Sequence, residues 1–168
     1  MIFVTIGTTK FPFDRLLKAV DEAMINSRAE EKLVILKGNS SFLFNYQNVK
    51  IFKELPFNKV VSYIKKSRVV ITHGGPATIF LVLKFGKNKP LVVPRGKKFS
   101  EHVDDHQVFF TKFLNNRGLI SCVLLQEELV GKIKDYILQP QSLIKKKNGS
   151  AREKLIKKLI AYTEQLKE

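Results

Sequence analysis

Short apolar runs recur along the chain, separated by stretches in which apolar residues fall at helical spacing. Ile2-Phe3-Val4-Thr5-Ile6 is β-branched and almost wholly apolar, the composition of a strand buried on both faces. It stops at Gly7-Thr8-Thr9. From Asp14, the positions Leu16, Leu17, Val20, Ala23 and Met24 predict a helix. Leu33 to Leu36 and Val49 to Phe52 read as the second and third strands, and Asn58 is placed to cap a helix carrying Val60, Val61 and Ile64. Val69 to Thr72 reads as a fourth strand, ending in His73-Gly74-Gly75-Pro76. A helix through Ile79, Val82 and Leu83 follows, and Leu91 to Val93 makes a fifth strand. Glu101 to Asn115 reads as helix, Leu119 to Val123 as a last strand, and Gln126 to Ile137 as another helix. Strict alternation of this kind predicts an α/β fold, a parallel sheet with helices on both faces.

Beyond residue 138 the pattern changes. Residues 139–150 are polar and punctuated, a connection rather than an element. Ser150 is placed to cap a final helix over 151–168, with Glu153 three residues on as in a capping box. Leu155, Ile156, Leu159, Ile160 and Leu166 make that helix amphipathic. The division expected is therefore a domain over 1–138, a linker over 139–150 and a C-terminal helix over 151–168.

The length of 168 residues suits one domain, and 44% hydrophobic with 27% charged residues is an ordinary globular balance. The charge is unusual: the net is +15, of which residues 51–100 carry +10 and residues 132–168 carry +6, while 101–131 carry −3. Such blocks favour anionic partners on particular faces over a uniform nucleic-acid coat. Cys122 stands alone, which excludes a disulfide framework and a cysteine-based metal cluster. No apolar run is long enough to span a bilayer, and the opening residues lack the marks of a leader peptide, so a soluble cytoplasmic domain is expected.

In an open parallel sheet, ligands bind beyond the carboxyl ends of the strands, and two unusual loops are expected there. In Gly7-Thr8-Thr9 the glycine lets backbone approach a ligand, and the hydroxyls and amides suit phosphate oxygens. In His73-Gly74-Gly75-Pro76-Ala77-Thr78, Pro76 suits the first helical position, and the amides of Ala77 and Thr78 become unpaired donors at a helix start. Each loop alone is also a well-made turn; together they point to a diphosphate site. A third stretch runs from Arg95 to Gln107, where nine of thirteen residues are charged, histidine or glutamine. A solvated helix start accounts for any one of these side chains, but no packing rule demands Glu101, His102, Asp105, His106 and Gln107 together.

On a helix, His102 and His106 share a face, which raises the metal question. The zinc-peptidase pattern needs Glu directly after the first His, where Val103 stands, and no third ligand is evident. A hydroxyl-rich ligand ranks above a metal here, and neither metal nor cofactor is expected. The dinucleotide, P-loop and hydrolase-nucleophile signatures are all missing. So are aromatics interleaved with base-reading residues, which weakens a nucleic-acid reading.

Four stretches together resemble one family: Ile2 to Thr8, Phe13-Asp14-Arg15-Leu16, His73 to Thr78, and Pro94-Arg95 through Gln107. It is the PssE/EpsF-type polysaccharide-biosynthesis glycosyltransferase subunit with a family 28 glycosyltransferase C-terminal domain, and the resemblance covers most of residues 1–138. The family is similar to the catalytic subunit of the two-part N-acetylglucosaminyltransferase acting on dolichol-linked sugar. The resemblance implies a Rossmann-like domain equivalent to the C-terminal, donor-binding lobe of a GT-B enzyme, with UDP-sugar as substrate and a lipid-linked saccharide as acceptor. It implies a membrane-associated acceptor-binding subunit as partner, and peripheral placement on the inner face of the plasma membrane through it. By position, Gly7, Thr8, Thr9, Gly74, Gly75, Pro76, Ala77 and Thr78, with Arg95 and Lys98, would hold the UDP phosphates. Phe57 would meet the uracil, and Glu101, His102, Asp105, His106 and Gln107 the ribose or sugar. His73 and His102 are outside candidates for a catalytic base, which the partner is expected to supply.

The sequence departs from relatives in having Phe80-Leu81 where family 28 enzymes carry a ribose-gripping Glu, and Ser100 where Gly is frequent. The Gly86 to Pro90 connection is also longer than the compact form in relatives. Two other classes stay open: a non-catalytic nucleotide-sugar-binding or stabilising subunit, suggested by the missing Glu, and a basic RNA-binding α/β domain, suggested by charge alone.

Overall fold

The computed structural model describes residues 1–141. Its elements run β1 (Ile2–Thr5), α1 (Asp14–Asn26), β2 (Leu33–Leu36), β3 (Val49–Phe52), α2 (Phe57–Lys66), β4 (Val69–Thr72) and α3 (Pro76–Phe85). β5 (Leu91–Val92), a 3-10 turn (Lys97–Phe99), α4 (His106–Asn116), β6 (Ser121–Cys122) and α5 (Leu129–Leu138) complete the series. The six strands form one sheet in the order β3-β2-β1-β4-β5-β6, with every pair parallel. The fold is α/β and Rossmann-like, as the alternation predicts.

Successive strand residues point to opposite faces, and each face has its own core. Ile2, Val4, Leu33, Ile35, Val69 and Ile71 pack with Leu16, Leu17, Val20 and Met24 of α1 and Ile133 and Ile137 of α5. On the other face Phe3, Val34 and Val70 meet Ile64 of α2 and Val82 of α3, and Val92 meets Ile79, Phe80, Leu83 and Leu114. Most of these side chains are fully buried. Each contributes about 1.5–3 kcal/mol by leaving water, which explains the continuous apolar strands.

The sheet order places the site. The chain steps from β1 outward to β2 and β3, then crosses back to β4 on the other side of β1. Strand register sets Thr5 level with Leu36 on one side and Thr72 on the other. The loops after β1 and β4 therefore leave side by side, at the switch point where crevices open; His73 N–H donates to Thr5 O across them at 3.4 Å.

Several expected boundaries move, three of them for reasons the hydrogen bonds and backbone show. The second helix starts at Phe57 behind Pro56, with no side-chain cap, so Asn58 lies inside it rather than capping it. The helix expected from Glu101 starts only at His106. Ser100 adopts a left-handed conformation (φ 55°), and residues 101–105 are bends, because Glu101 accepts from Gly96 N–H and Asp105 from Lys97 N–H. The last strand shrinks to Ser121–Cys122. Gly118 (φ 65°) ends α4, and Leu119 N–H donates back to Leu114 O, which turns Leu119 and Ile120 into the α3–α4 core. At the end of α5, Gln141 stays on the domain: its carbonyl accepts from Lys89 N–H and its side chain from Ser121 Oγ. The amphipathic helix expected over 151–168 lies outside the described residues, as does most of the 139–150 connection.

Candidate functional site

A cavity of about 510 Å³ opens at the carboxyl ends of β1 and β4. Gly7, Thr8 and Thr9 form one wall, and His73, Gly75, Pro76, Ala77 and Thr78 the opposite one. Leu36 and Thr5 close the floor, and Glu54, Leu55, Phe57 and Val60 form the side toward α2. Phe57 is 68% exposed, a free aromatic surface at the mouth. The start of α3 presents open backbone donors. Pro76 occupies the first turn, no side chain caps the end, and no acidic residue stands in that turn. The first α3 amide to close on a carbonyl is Ile79 N–H, to Gly75 O at 3.2 Å. The Ala77 and Thr78 amides precede it as helix-terminal donors, and the helix dipole adds its positive end.

His73 fixes the spacing between the two walls. It is 7% exposed, its Nδ1 lies 3.3 Å from Thr72 Oγ1, and burial together with the Arg95 charge lowers its pKa to about 4. The ring is therefore neutral at pH 7. A Cβ on Gly7 would come 2.8 Å from that ring, and one on Gly75 would overlap Nε2. Gly7 also has φ 76°, a conformation that only glycine adopts freely. The two glycines are required because the imidazole fills the space between them. Gly74, by contrast, does not line the cavity. It lies behind the turn, where a Cβ would press on Gln107 and Thr111.

The stretch from Arg95 to Gln107 is placed differently from expectation. None of its residues lines the cavity. Arg95 is fully buried, and its guanidinium donates to the carbonyls of Ile6, Phe11, Pro12 and Glu101 at 2.7–3.3 Å. Burial lowers even its pKa, to about 10. Arg95, expected at the phosphates, thus ties two loops together from the interior. Glu101 is 5% exposed and holds Arg15 through Nε and one terminal nitrogen at 2.8 and 2.9 Å, so its oxygens are not offered to a ribose. Gln107 is 3% exposed and accepts from Arg95 N–H at 3.3 Å. Asp105 accepts from Lys97 N–H at 2.8 Å. Lys98 and His106 stay on the surface.

Sequence reasoning missed the Arg15–Glu101 pair. Arg15 also donates to Pro94 O and lies over the Phe99 ring at 4.2 Å, locking the strap down from α1. Its only signal was the Phe13-Asp14-Arg15-Leu16 run. Glu54 and Val60 in the cavity wall carried no signal at all.

The glycosyltransferase family 28 C-terminal domain model matches residues 1–160. The chain belongs to this family. That agrees with the wider half of the resemblance read from the motifs. Among curated proteins none matches the chain. Among solved structures, a flavodoxin-like domain from Synechococcus is similar over 83% of this chain and 99% of its own, with 11% identity and a TM-score of 0.48. Family membership supports a glycosyltransferase donor-binding role for the domain. Among the described residues no helix is long and apolar enough to cross a membrane.

Proposed function

We propose that this family 28 domain is the donor-binding, catalytic part of a two-component glycosyltransferase that moves a hexose from a UDP-sugar to a lipid-linked saccharide. The observation that carries the reading is the cavity at the β1–β4 switch point, walled by Gly7-Thr8-Thr9 and the start of α3. Its ionisable lining residues are Glu54 and the neutral His73, so a diphosphate there is met by amides and a helix dipole. Each charge-assisted hydrogen bond from those amides is worth about 1.5–3 kcal/mol, and it strengthens as negative charge grows on the departing UDP. The uracil stacks on Phe57, and the sugar extends toward His106 at the start of α4. A membrane-associated subunit brings the acceptor and the base that deprotonates it, in exopolysaccharide or capsule synthesis. The basic surface of residues 51–100 then faces UDP and anionic lipid.

Calorimetric titration of the chain with UDP tests the reading: one site per chain is expected, weakened about tenfold or more in Gly75→Ala. No heat and no thermal stabilisation with UDP or any UDP-sugar overturns it. A second reading, a binding subunit without chemistry of its own, is favoured by the burial of His73 and the commitment of Glu101 to Arg15. UDP binding without transfer, in membranes holding the partner and a range of UDP-sugars, would select it.

A further inference from the structure

The bends between the 3-10 turn and α4 gather three metal-ligating side chains. One ligand atom each from His102, Asp104 and His106 lie within 4.8 Å of one another. His102 Nδ1 is 3.3 Å from Asp104 Oδ1, the same carboxylate oxygen is hydrogen-bonded to His106 Nδ1, and the two rings meet edge to face at 4.6 Å. We propose that His102, Asp104 and His106 bind one divalent transition-metal ion, zinc being the physiological choice, on the strap beside the cavity.

Three observations carry this. The first is the ligand set: two imidazoles and one carboxylate suit zinc, and three protein ligands leave a position open to water or a ligand. Donors about 2.0–2.1 Å from zinc stand at most roughly 4.2 Å apart, so rotation of the exposed His106 ring closes the triad. The second is preorganisation. Glu101 is held by Arg15 and Gly96 N–H, Asp105 by Lys97 N–H, and Gln107 by Arg95 N–H. Both neighbours of His106 and one neighbour each of His102 and Asp104 are therefore held before any ion arrives. The third is the placement of Asp104. Its N–H faces His102 Nδ1 at 3.5 Å, its Oδ1 lies 3.3 Å from the same nitrogen, and that oxygen is also hydrogen-bonded to His106 Nδ1. One carboxylate oxygen thus stands between the two imidazole nitrogens.

Helical spacing hides the third ligand, Asp104, because on a helix a residue two positions from each histidine lies on a different face. In the bend it lies between them. None of the three lines the cavity, so the ion does not bridge the diphosphate; it pins the strap that ends in His106-Gln107. His102 also packs on Phe11 of the first loop, with ring centroids 6.1 Å apart, so the pin reaches both loops. The inference stands independently of the donor reading.

The test is a titration of the tag-free full chain with zinc alone, and with cobalt as a spectroscopic probe. One ion per chain is expected, with visible cobalt absorption typical of four or five ligands. His102→Ala, Asp104→Asn and His106→Ala should each weaken zinc binding by about tenfold or more, and the double His102→Ala/His106→Ala variant should abolish it. Circular dichroism of the same variants separates the outcomes: folded variants that no longer bind zinc support the site. Zinc affinity unchanged in the folded double variant, or no stoichiometric binding up to about 1 mM zinc, overturns it. Absence of UDP binding by the unmodified chain, with zinc binding intact, would count against the donor reading and leave this one standing.

Discussion

The loop after β1 together with the turn after β4 can be set beside the strap after β5. All three leave carboxyl ends of the same parallel sheet, and all three are rich in polar groups. The first two offer mainly backbone: Gly7, Gly75, Ala77 and Thr78 have small side chains, and their amides line a cavity. The strap offers mainly side chains, yet Arg95, Glu101 and Gln107 are turned inward and committed to the protein itself. Polar residues crowded at a strand end are thus ambiguous. They can meet a ligand, or they can hold still the backbone that does.

The largest test of that contrast is Arg95→Met. Removing the guanidinium strands the carbonyls of Ile6, Phe11, Pro12 and Glu101 in the interior. A loss of about 3–5 kcal/mol in urea unfolding is expected, the usual cost of breaking a buried charged network. A fully stable variant with impaired UDP binding would return Arg95 to the phosphate-binding class and break the comparison.

Next comes acid. His73 has its folded pKa lowered to about 4, against an ordinary value of 6.5. Between those values the unfolded chain binds the extra proton and the folded one does not, so stability is full above pH 6.5 and falls as pH drops toward 4. The loss is about 3 kcal/mol, and His73→Asn should flatten this part of the stability profile. An unchanged slope in the variant would mean that another group carries the dependence.

Gly75→Ala should follow, with UDP affinity reduced by about tenfold or more, equivalent to about 1.4 kcal/mol, because a Cβ there overlaps the His73 ring. The smallest effect belongs to Phe57→Ala. At 68% exposure it should leave stability within about 0.5 kcal/mol while weakening UDP several-fold by calorimetry. Equal effects on folding and binding at both positions would erase the distinction between offered and committed groups.

The sheet was legible because buried parallel strands are nearly continuous apolar runs, and Leu33–Leu36 and Val69–Thr72 fall where the pattern puts them. The cavity walls were legible for a related reason: strand, glycine and N-terminal proline are local signals that dictate local geometry. The strap was not. Whether Glu101 meets a ribose or Arg15 depends on a residue 86 positions away, and no local period records that pairing. The left-handed Ser100 was equally hidden, since a serine there carries no mark of the turn it makes. Asn58 misled because capping preference is weaker than the restriction that Pro56 places on the chain before it.

The buried arginine has an effect beyond the interior. In a trans peptide the carbonyl and the following amide point in opposite directions. By drawing in the Ile6 carbonyl at 2.7 Å, Arg95 sets this peptide so that the Gly7 N–H points the opposite way. The same pull on the Pro12 carbonyl leaves Phe13 N–H to donate to Ser40 Oγ at 2.6 Å on the far side. A cation that no solute can touch thereby polarises the peptide that a solute would touch, and its charge is felt at the cavity wall one bond dipole removed. A buried charge thus acts from behind on the wall of a cavity that has no basic side chain among its lining residues.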